Sequence, residues 1–165
     1  MAKKYLKYVV TREDQSLYED FDIFCKEFNG KNLLNIGNKH AWNLHQMIQK
    51  IFFCNWPNTN FRKYFVKAET CILNTGDEIK QISCNNNPDN YFGYLCVNSD
   101  NKTNINFTVD TIKESINLES KLLLISPSNY ETHSIQWGET FPLLLIKINI
   151  IPAENIKNQF DWTPL

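Results

Sequence analysis

A chain of 165 residues with 42% hydrophobic and 13% aromatic side chains buries about 70% of its extended surface on folding, which excludes intrinsic disorder as its main state. Lys and Arg number 17 against 18 Asp and Glu, a formal net charge of -1, so total charge supplies no general attraction to nucleic acid or anionic lipid. The length fits one domain, residues 1–165, with 1–57 as a helical N-terminal support and 58–151 as the core.

The basic N-terminus ends its apolar stretch at Thr11-Arg12-Glu13-Asp14, too early for a secretory signal. The longest apolar run, 141–151, is broken by Lys147 and is shorter than the roughly 20 residues of a bilayer span. The expectation is a soluble cytoplasmic protein without a membrane partner, in a free-living cell or in one occupied by a virus or parasite. Ser16 and Glu19 form a capping box, and Leu17, Phe21, Phe24 and Phe28 repeat at helical spacing until Asn29-Gly30, which predicts a helix over 16–28. A second helix starts near Asn38, carries Ala41, Leu44, Ile48 and Ile51 on one stripe, and stops before Trp56-Pro57. Both helices are expected to cover one face of a sheet.

Beyond Pro57 the pattern changes to β-branched and aromatic stretches at 64–73, 78–84, 91–97, 103–109, 121–125, 132–137 and 143–150, which predicts seven or eight strands. Turn residues separate them, including Asn74-Thr75-Gly76-Asp77, Asn98-Ser99-Asp100-Asn101 and Ser126-Pro127-Ser128-Asn129. Short strands without helical crossovers predict a mainly β sandwich or jelly roll with the two helices packed on one sheet. The last segment, 152–165, is apolar enough to pack back on the domain or to anchor a partner.

Cys25, Cys54, Cys71, Cys84 and Cys96 show no Cys-x-x-Cys spacing and read as reduced, mostly buried thiols. His40 and His45 are five apart on the second helix and do not share a face, so no His-x-x-x-His metal pair exists. His133 lies instead on a strand. Arg62-Lys63-Tyr64-Phe65-Val66-Lys67 interleaves charge with aromatics, as a nucleic-acid groove does, but reads more simply as an edge strand with charges outward. Nucleic acid is therefore not the expected partner. No Gly-rich phosphate loop and no Gly-x-Ser-x-Gly elbow occur.

The stretches AETCILNTGDEIKQISCNN, NYFGYLCVNSDNKTNINF and KLLLISPSNYETHSIQWGETFPLLLIKINI, from Ala68 to about Ile150, resemble the double-stranded β-helix of Fe(II)- and 2-oxoglutarate-dependent dioxygenases. The resemblance implies a His-x-Asp or His-x-His segment, a distal histidine and a basic residue for the cosubstrate carboxylate. The distal position falls on His133, whereas the His-x-Asp position falls on Gln81-Ile82-Ser83, an amide and a hydroxyl where iron takes imidazole and carboxylate. Lys147 is the basic candidate. Alternation between Ile146 and Ile148 turns it outward into solvent, while an inward orientation would hold an acid. Asp77 is a displaced carboxylate candidate in a turn.

The leading expectation is a non-catalytic binding or interaction module without a standard iron site and without a cofactor. Its barrel mouth would be lined by Asn74, Gln81, Ser83, Tyr94, His133 and Gln136, polar groups suited to a protein or a small polar ligand. Two other readings stand beside it. One is an atypical hydroxylase using Fe(II) on His133 and Asp77 or Asp89, with 2-oxoglutarate on Lys147; the other is an oligomeric jelly-roll subunit of an assembly.

Overall fold

A computed structural model of the protein describes residues 7–10, 20–56, 63–82, 89–109, 112–127, 132–157 and 161–165, with backbone alone for 7–10, 79–82, 107–109, 112 and 132–134. The first helix, α1 (Phe21–Glu27), is shorter than the sequence pattern implies, and the expected cap at Ser16 and Glu19 lies outside the described residues. It buries Phe21, Phe24 and Cys25. The second helix, α2 (Lys39–Asn55), follows the sequence closely: the Asn38 side chain accepts from the Ala41 N–H at 3.0 Å and caps the first turn. Leu44, Ile48 and Phe52 are fully buried along its stripe, and each such side chain contributes about 1.5–3 kcal/mol.

Among the described residues ten strands follow or flank these helices: β1 (Lys7–Val10), β2 (Tyr64–Leu73), β3 (Glu78–Ile82), β4 (Tyr91–Asn98), β5 (Asn104–Val109), β6 (Ile112–Asn117), β7 (Leu122–Pro127), β8 (Thr132–Gln136), β9 (Leu143–Pro152) and β10 (Thr163–Pro164). Six form one sheet in the order β1-β7-β4-β9-β2-β10, and four form a second in the order β3-β8-β5-β6, with every pair antiparallel. The chain passes from the large sheet to the small one between β2 and β3, between β4 and β5 and between β7 and β8, which is jelly-roll topology. The mainly β architecture with helices on one sheet agrees with the sequence expectation.

β1, β6 and β10 are absent from that expectation. β6 reads Ile-Lys-Glu-Ser-Ile-Asn, an edge strand too polar to stand out, and β10 has two residues. β10 and Leu165 return the C-terminus to the domain, pairing Thr163 with Val66 and packing Leu165 on the helix-side core. Asn32 is the joint. Its Oδ1 accepts from the Leu34 and Ala68 N–H groups at 3.2 and 3.0 Å, while its Nδ2 donates to the Asp161 carbonyl and to Thr163 Oγ1, both at 3.1 Å.

Alternation on the large sheet divides the core into two. Val66, Ala68, Leu95, Val97, Leu123, Ile125, Leu144, Ile146, Ile148 and Ile150 face the helices, where Phe52 meets the Tyr91 ring at 4.8 Å and the Tyr64 ring at 5.3 Å. Leu73, Phe92, Tyr94, Cys96, Leu122, Leu124, Leu143 and Leu145 face the small sheet and its Ile105, Ile135 and Trp137. Close approach of β4 and β7 fixes one residue: a Cβ on Gly93 would lie 1.9 Å from the Leu124 carbonyl oxygen.

Candidate functional site

The register of β2, β9, β4 and β7 sets the inward side chains in cross-strand rows. Leu73 pairs with Leu143, and the next row reads Cys71, Leu145, Cys96. Beyond these apolar rows the inner face becomes polar: Glu69, Lys147, Tyr94 and Leu124 stand side by side, followed by Lys67, Asn149, Phe92 and Ser126. The jelly roll therefore has an apolar end and a polar end. Period-2 alternation carries both: Lys147 shares the face of the buried Leu143 and Leu145.

That placement settles the two orientations open for Lys147. It is half-buried, faces inward, and sets its Nζ 5.7 Å from the Phe92 ring centroid, a cation–π contact. The outward reading failed because Ile146 and Ile148 face the helix layer, so both sides of β9 are covered and alternation alone cannot tell solvent from interior. Tyr94, its register partner on β4, is 1% exposed and meets Phe92 edge to face at 5.1 Å. Burial, and then the Cys71 thiol, push the Tyr94 phenol well above its ordinary range. Burial likewise raises the Cys71 thiol, while the Lys147 ammonium draws it partway down. The site thus sets the Lys147 amine, the Tyr94 phenol and the Cys71 thiol within one electrostatic neighbourhood.

The residues expected to line one mouth divide between the two ends. Asn74 and Asp77 form the β2–β3 turn at the apolar end, where the Asp77 Oδ2 accepts from the Asn74 N–H at 2.7 Å and Gly76 supplies the left-handed φ of 87°. Gln136 is exposed beside them, with its Nε2 3.5 Å from Glu78 Oε1. None of the three meets Tyr94 or Lys147. The physical reason is strand direction: β3 begins and β8 ends beside the Asn74–Asp77 turn, as the Trp137 N–H to Asp77 carbonyl bond of 3.1 Å shows. Gln81 and His133 stand opposite each other in the β3–β8 ladder, with Phe107 of β5 next to His133, toward the polar end. Their side chains, and Ser83 and Cys84 entirely, lie outside the described residues.

The donor set does not fit an Fe(II) triad. Gln81-Ile82-Ser83 supplies no imidazole or carboxylate, and Asp77 lies four residues back along the strand, about 13 Å at 3.3 Å per residue, with its carboxylate engaged in the turn. Asp89 is likewise outside any such cluster. Among the described residues no three His, Cys, Asp or Glu side chains come together as a metal site. The aromatic and basic segment, of which Arg62 lies outside the described residues, also resolves into structure over 63–67: Tyr64 and Val66 are buried under the helices, Lys63 lies over the Phe65 ring at 5.4 Å, and Lys67 over Trp162 at 5.0 Å. Among the thiols, Cys25 and Cys96 are buried as expected, whereas Cys54 is exposed. No described helix is long and apolar enough to cross a membrane.

Spacing to other carboxylates selects no partner for Glu69, which therefore reads from the sequence as a solvated acid, whereas the register places it beside Lys147, with Asn149 in the next row. Glu69 also borders a cleft of about 360 Å³ on the β2 flank, with Lys31, Asn35, Lys67 and Asp161.

No protein-family profile matches the chain, and no curated protein does. Solved structures match its shape. The prolyl-4-hydroxylase of Pseudomonas putida superposes with a TM-score of 0.68 at 8% identity, over 88% of this chain and 91% of the hydroxylase. The non-heme alpha-ketoglutarate-dependent epimerase SnoN of nogalamycin biosynthesis gives 0.67 at 7% identity, over 90% of this chain and 78% of SnoN. HygX from Streptomyces hygroscopicus, solved with nickel and 2-oxoglutarate, gives 0.64 at 6% identity, over 90% of this chain and 82% of HygX. With the same two-sheet topology and helical layer, the chain has the double-stranded β-helix fold of the Fe(II)/2-oxoglutarate oxygenases, shared as architecture at very low sequence identity.

Proposed function

We propose that this protein is a ligand-binding member of the double-stranded β-helix fold that holds a small polar molecule at the polar end of its barrel, without iron chemistry. The observation that carries this reading is the inward, half-buried Lys147 beside Tyr94. An ammonium on the inner face costs desolvation that Phe92 only partly offsets, and an anionic or strongly polar ligand group would complete its coordination. Tyr94 supplies a hydroxyl at its side, and Asn149 and Ser126 extend the polar surface by one row.

The test is ligand-induced thermal stabilisation with a panel of small carboxylates and polar metabolites, run on the native chain and on Lys147→Met. A ligand at a hundred times its Kd stabilises by about 2.7 kcal/mol, or about 5–10 °C for a chain of this length. Loss of the shift in Lys147→Met supports the reading; the same shift in both proteins overturns it.

The fold likeness favours one second reading, a hydroxylase built on His133. Anaerobic Fe(II) titration with and without 2-oxoglutarate, on the native chain and on His133→Ala, separates the two. Stoichiometric iron lost in the variant would establish a metal site; no binding in either protein would leave the metal-free barrel.

A further inference from the structure

A second concave surface lies on the helix side of the large sheet, opposite the face that carries Lys147. It is a groove of about 590 Å³ between the start of α2, a short 3-10 turn at Leu33–Asn35 and Thr163 of β10. Buried Leu34 and Ala41 with half-buried Ile36 form its apolar floor, and Trp42, 64% exposed, stands as its wall. A lone exposed apolar side chain is ordinary on a protein surface. One that borders an apolar hollow presents a flat ring and a concave floor to the same guest.

Bonds made outside the groove hold it in shape. The His45 Nε2 lies 2.8 Å from the Pro164 carbonyl and carries the proton, since a carbonyl only accepts, so it ties β10 to α2. The Thr163 hydroxyl is engaged with Asn35 and Asn32. The polar groups left over are all donors. Asn38 spends its Oδ1 on the Ala41 N–H, which leaves the Asn38 Nδ2, the Lys39 ammonium and the Trp42 indole N–H without partners among the described residues. No described residue lining the groove is an Asp or a Glu.

Length selects the class of guest. Asn38 to His45 spans about 10 Å along α2, and the His45–Pro164 bond closes that end. So short a groove cannot supply the roughly 800 Å² per partner of a stable protein interface, whereas its volume falls within the range of small-molecule sites, about 300–1,000 Å³. We infer that the groove binds a small amphipathic acid, an alkyl or aryl carboxylate, with its apolar body against Trp42 and its carboxylate on Lys39. This site shares no residue with the polar end of the barrel, so its failure leaves the Lys147 reading untouched.

The experiment is calorimetric titration of the full chain with octanoate and phenylbutyrate, with their uncharged amides and with acetate. It is repeated on Trp42→Ala, on Lys39→Met and, about three turns further along α2, on Lys50→Met. All three side chains are exposed, and circular dichroism with the melting midpoint checks the fold of each variant. The acids are expected to bind the native chain with one-to-one stoichiometry and the amides about fivefold more weakly, the size of one exposed charge contact; acetate, which has no apolar body, does not bind. Lys39→Met abolishes the preference for acid over amide, Trp42→Ala weakens acids and amides alike by about tenfold, and Lys50→Met changes neither. Equal binding of acids and amides by the native chain, acid binding indifferent to Trp42→Ala, or no binding of any probe at millimolar concentration overturns the assignment. A native chain that sediments as a dimer, with Trp42→Ala a monomer, overturns it in favour of an interface between copies.

Discussion

Asn32→Leu is the substitution with the sharpest expected effect on the fold. The Asn32 amide uses its whole hydrogen-bonding capacity, two acceptor contacts at Oδ1 and two donor contacts at Nδ2. Three of the four are part-buried, those with Leu34, Ala68 and Thr163, and the one with Asp161 is exposed. At about 1 kcal/mol for each part-buried bond and less for the exposed one, the loss is about 3 kcal/mol. For a chain of this length that lowers Tm by about 6–12 °C. Leucine is close in size, so the change tests the hydrogen bonds and not a cavity. Scanning calorimetry measures the shift, and hydrogen exchange locates it. The Ala68 N–H, bonded to Asn32 Oδ1, and the Leu165 N–H, bonded to the Tyr64 carbonyl at 3.0 Å, should both lose protection ahead of the β4–β9 ladder. A Tm unchanged within about 1 °C, well below the computed fall, would refute the assignment of Asn32 as the joint between the loop, β2 and the C-terminal strand.

Three further outcomes are expected. Gly93→Ala drives a methyl group into the Leu124 carbonyl of the neighbouring strand, and backbone cannot rotate aside as a side chain does; a cost above about 3 kcal/mol follows, read by urea denaturation, and a wild-type midpoint would show that β4 and β7 can separate cheaply. Burial first, with nearby Asp22 or Asp100 adding to it, raises the Cys25 and Cys96 thiols from an ordinary 9.0 to about 12. The folded state therefore keeps protons that the unfolded state releases, and stability falls as pH rises from about 9 toward about 12; a flat stability profile across that window would contradict the burial. Cys54 is exposed, so at pH 8 it should react with a disulfide reagent before Cys25 and Cys96, which should react only on unfolding; peptide mapping of the labelled protein decides the order.

Residues that announce local structure were legible in the sequence. Asn38 with its helical stripe fixed α2 almost to the residue, and the alternating 64–73 stretch matched β2. What remained hidden depends on which strands become neighbours. Asn74 and Gln136 are polar and near strand ends, as mouth residues should be, but the end to which they belong follows only from the direction of β3 and β8. Lys147 posed the same difficulty in the other dimension. A strand between helices and a second sheet is covered on both sides, so the alternation Ile-Lys-Ile contains no marker of which side is the barrel. Glu69 carried no local signal at all; only the β2–β9 register brings it to Lys147. The short β10 was equally silent, since two residues make no pattern.

The pairing of β10 with β2, and of β1 with β7, also bears on the order in which the protein can be made. Synthesis proceeds from the N-terminus, so α1 and α2 leave the ribosome long before Leu123, Ile146 and Ile148, the residues on which they pack. β1 waits for residues 122–125, β2 for β9, and the Asn32 joint for residues 161 and 163 near the chain's end. Apolar helix faces must therefore persist without their sheet until β7 and β9 have been synthesised, which exposes the nascent chain to aggregation and favours slow synthesis at low temperature for recovering it folded.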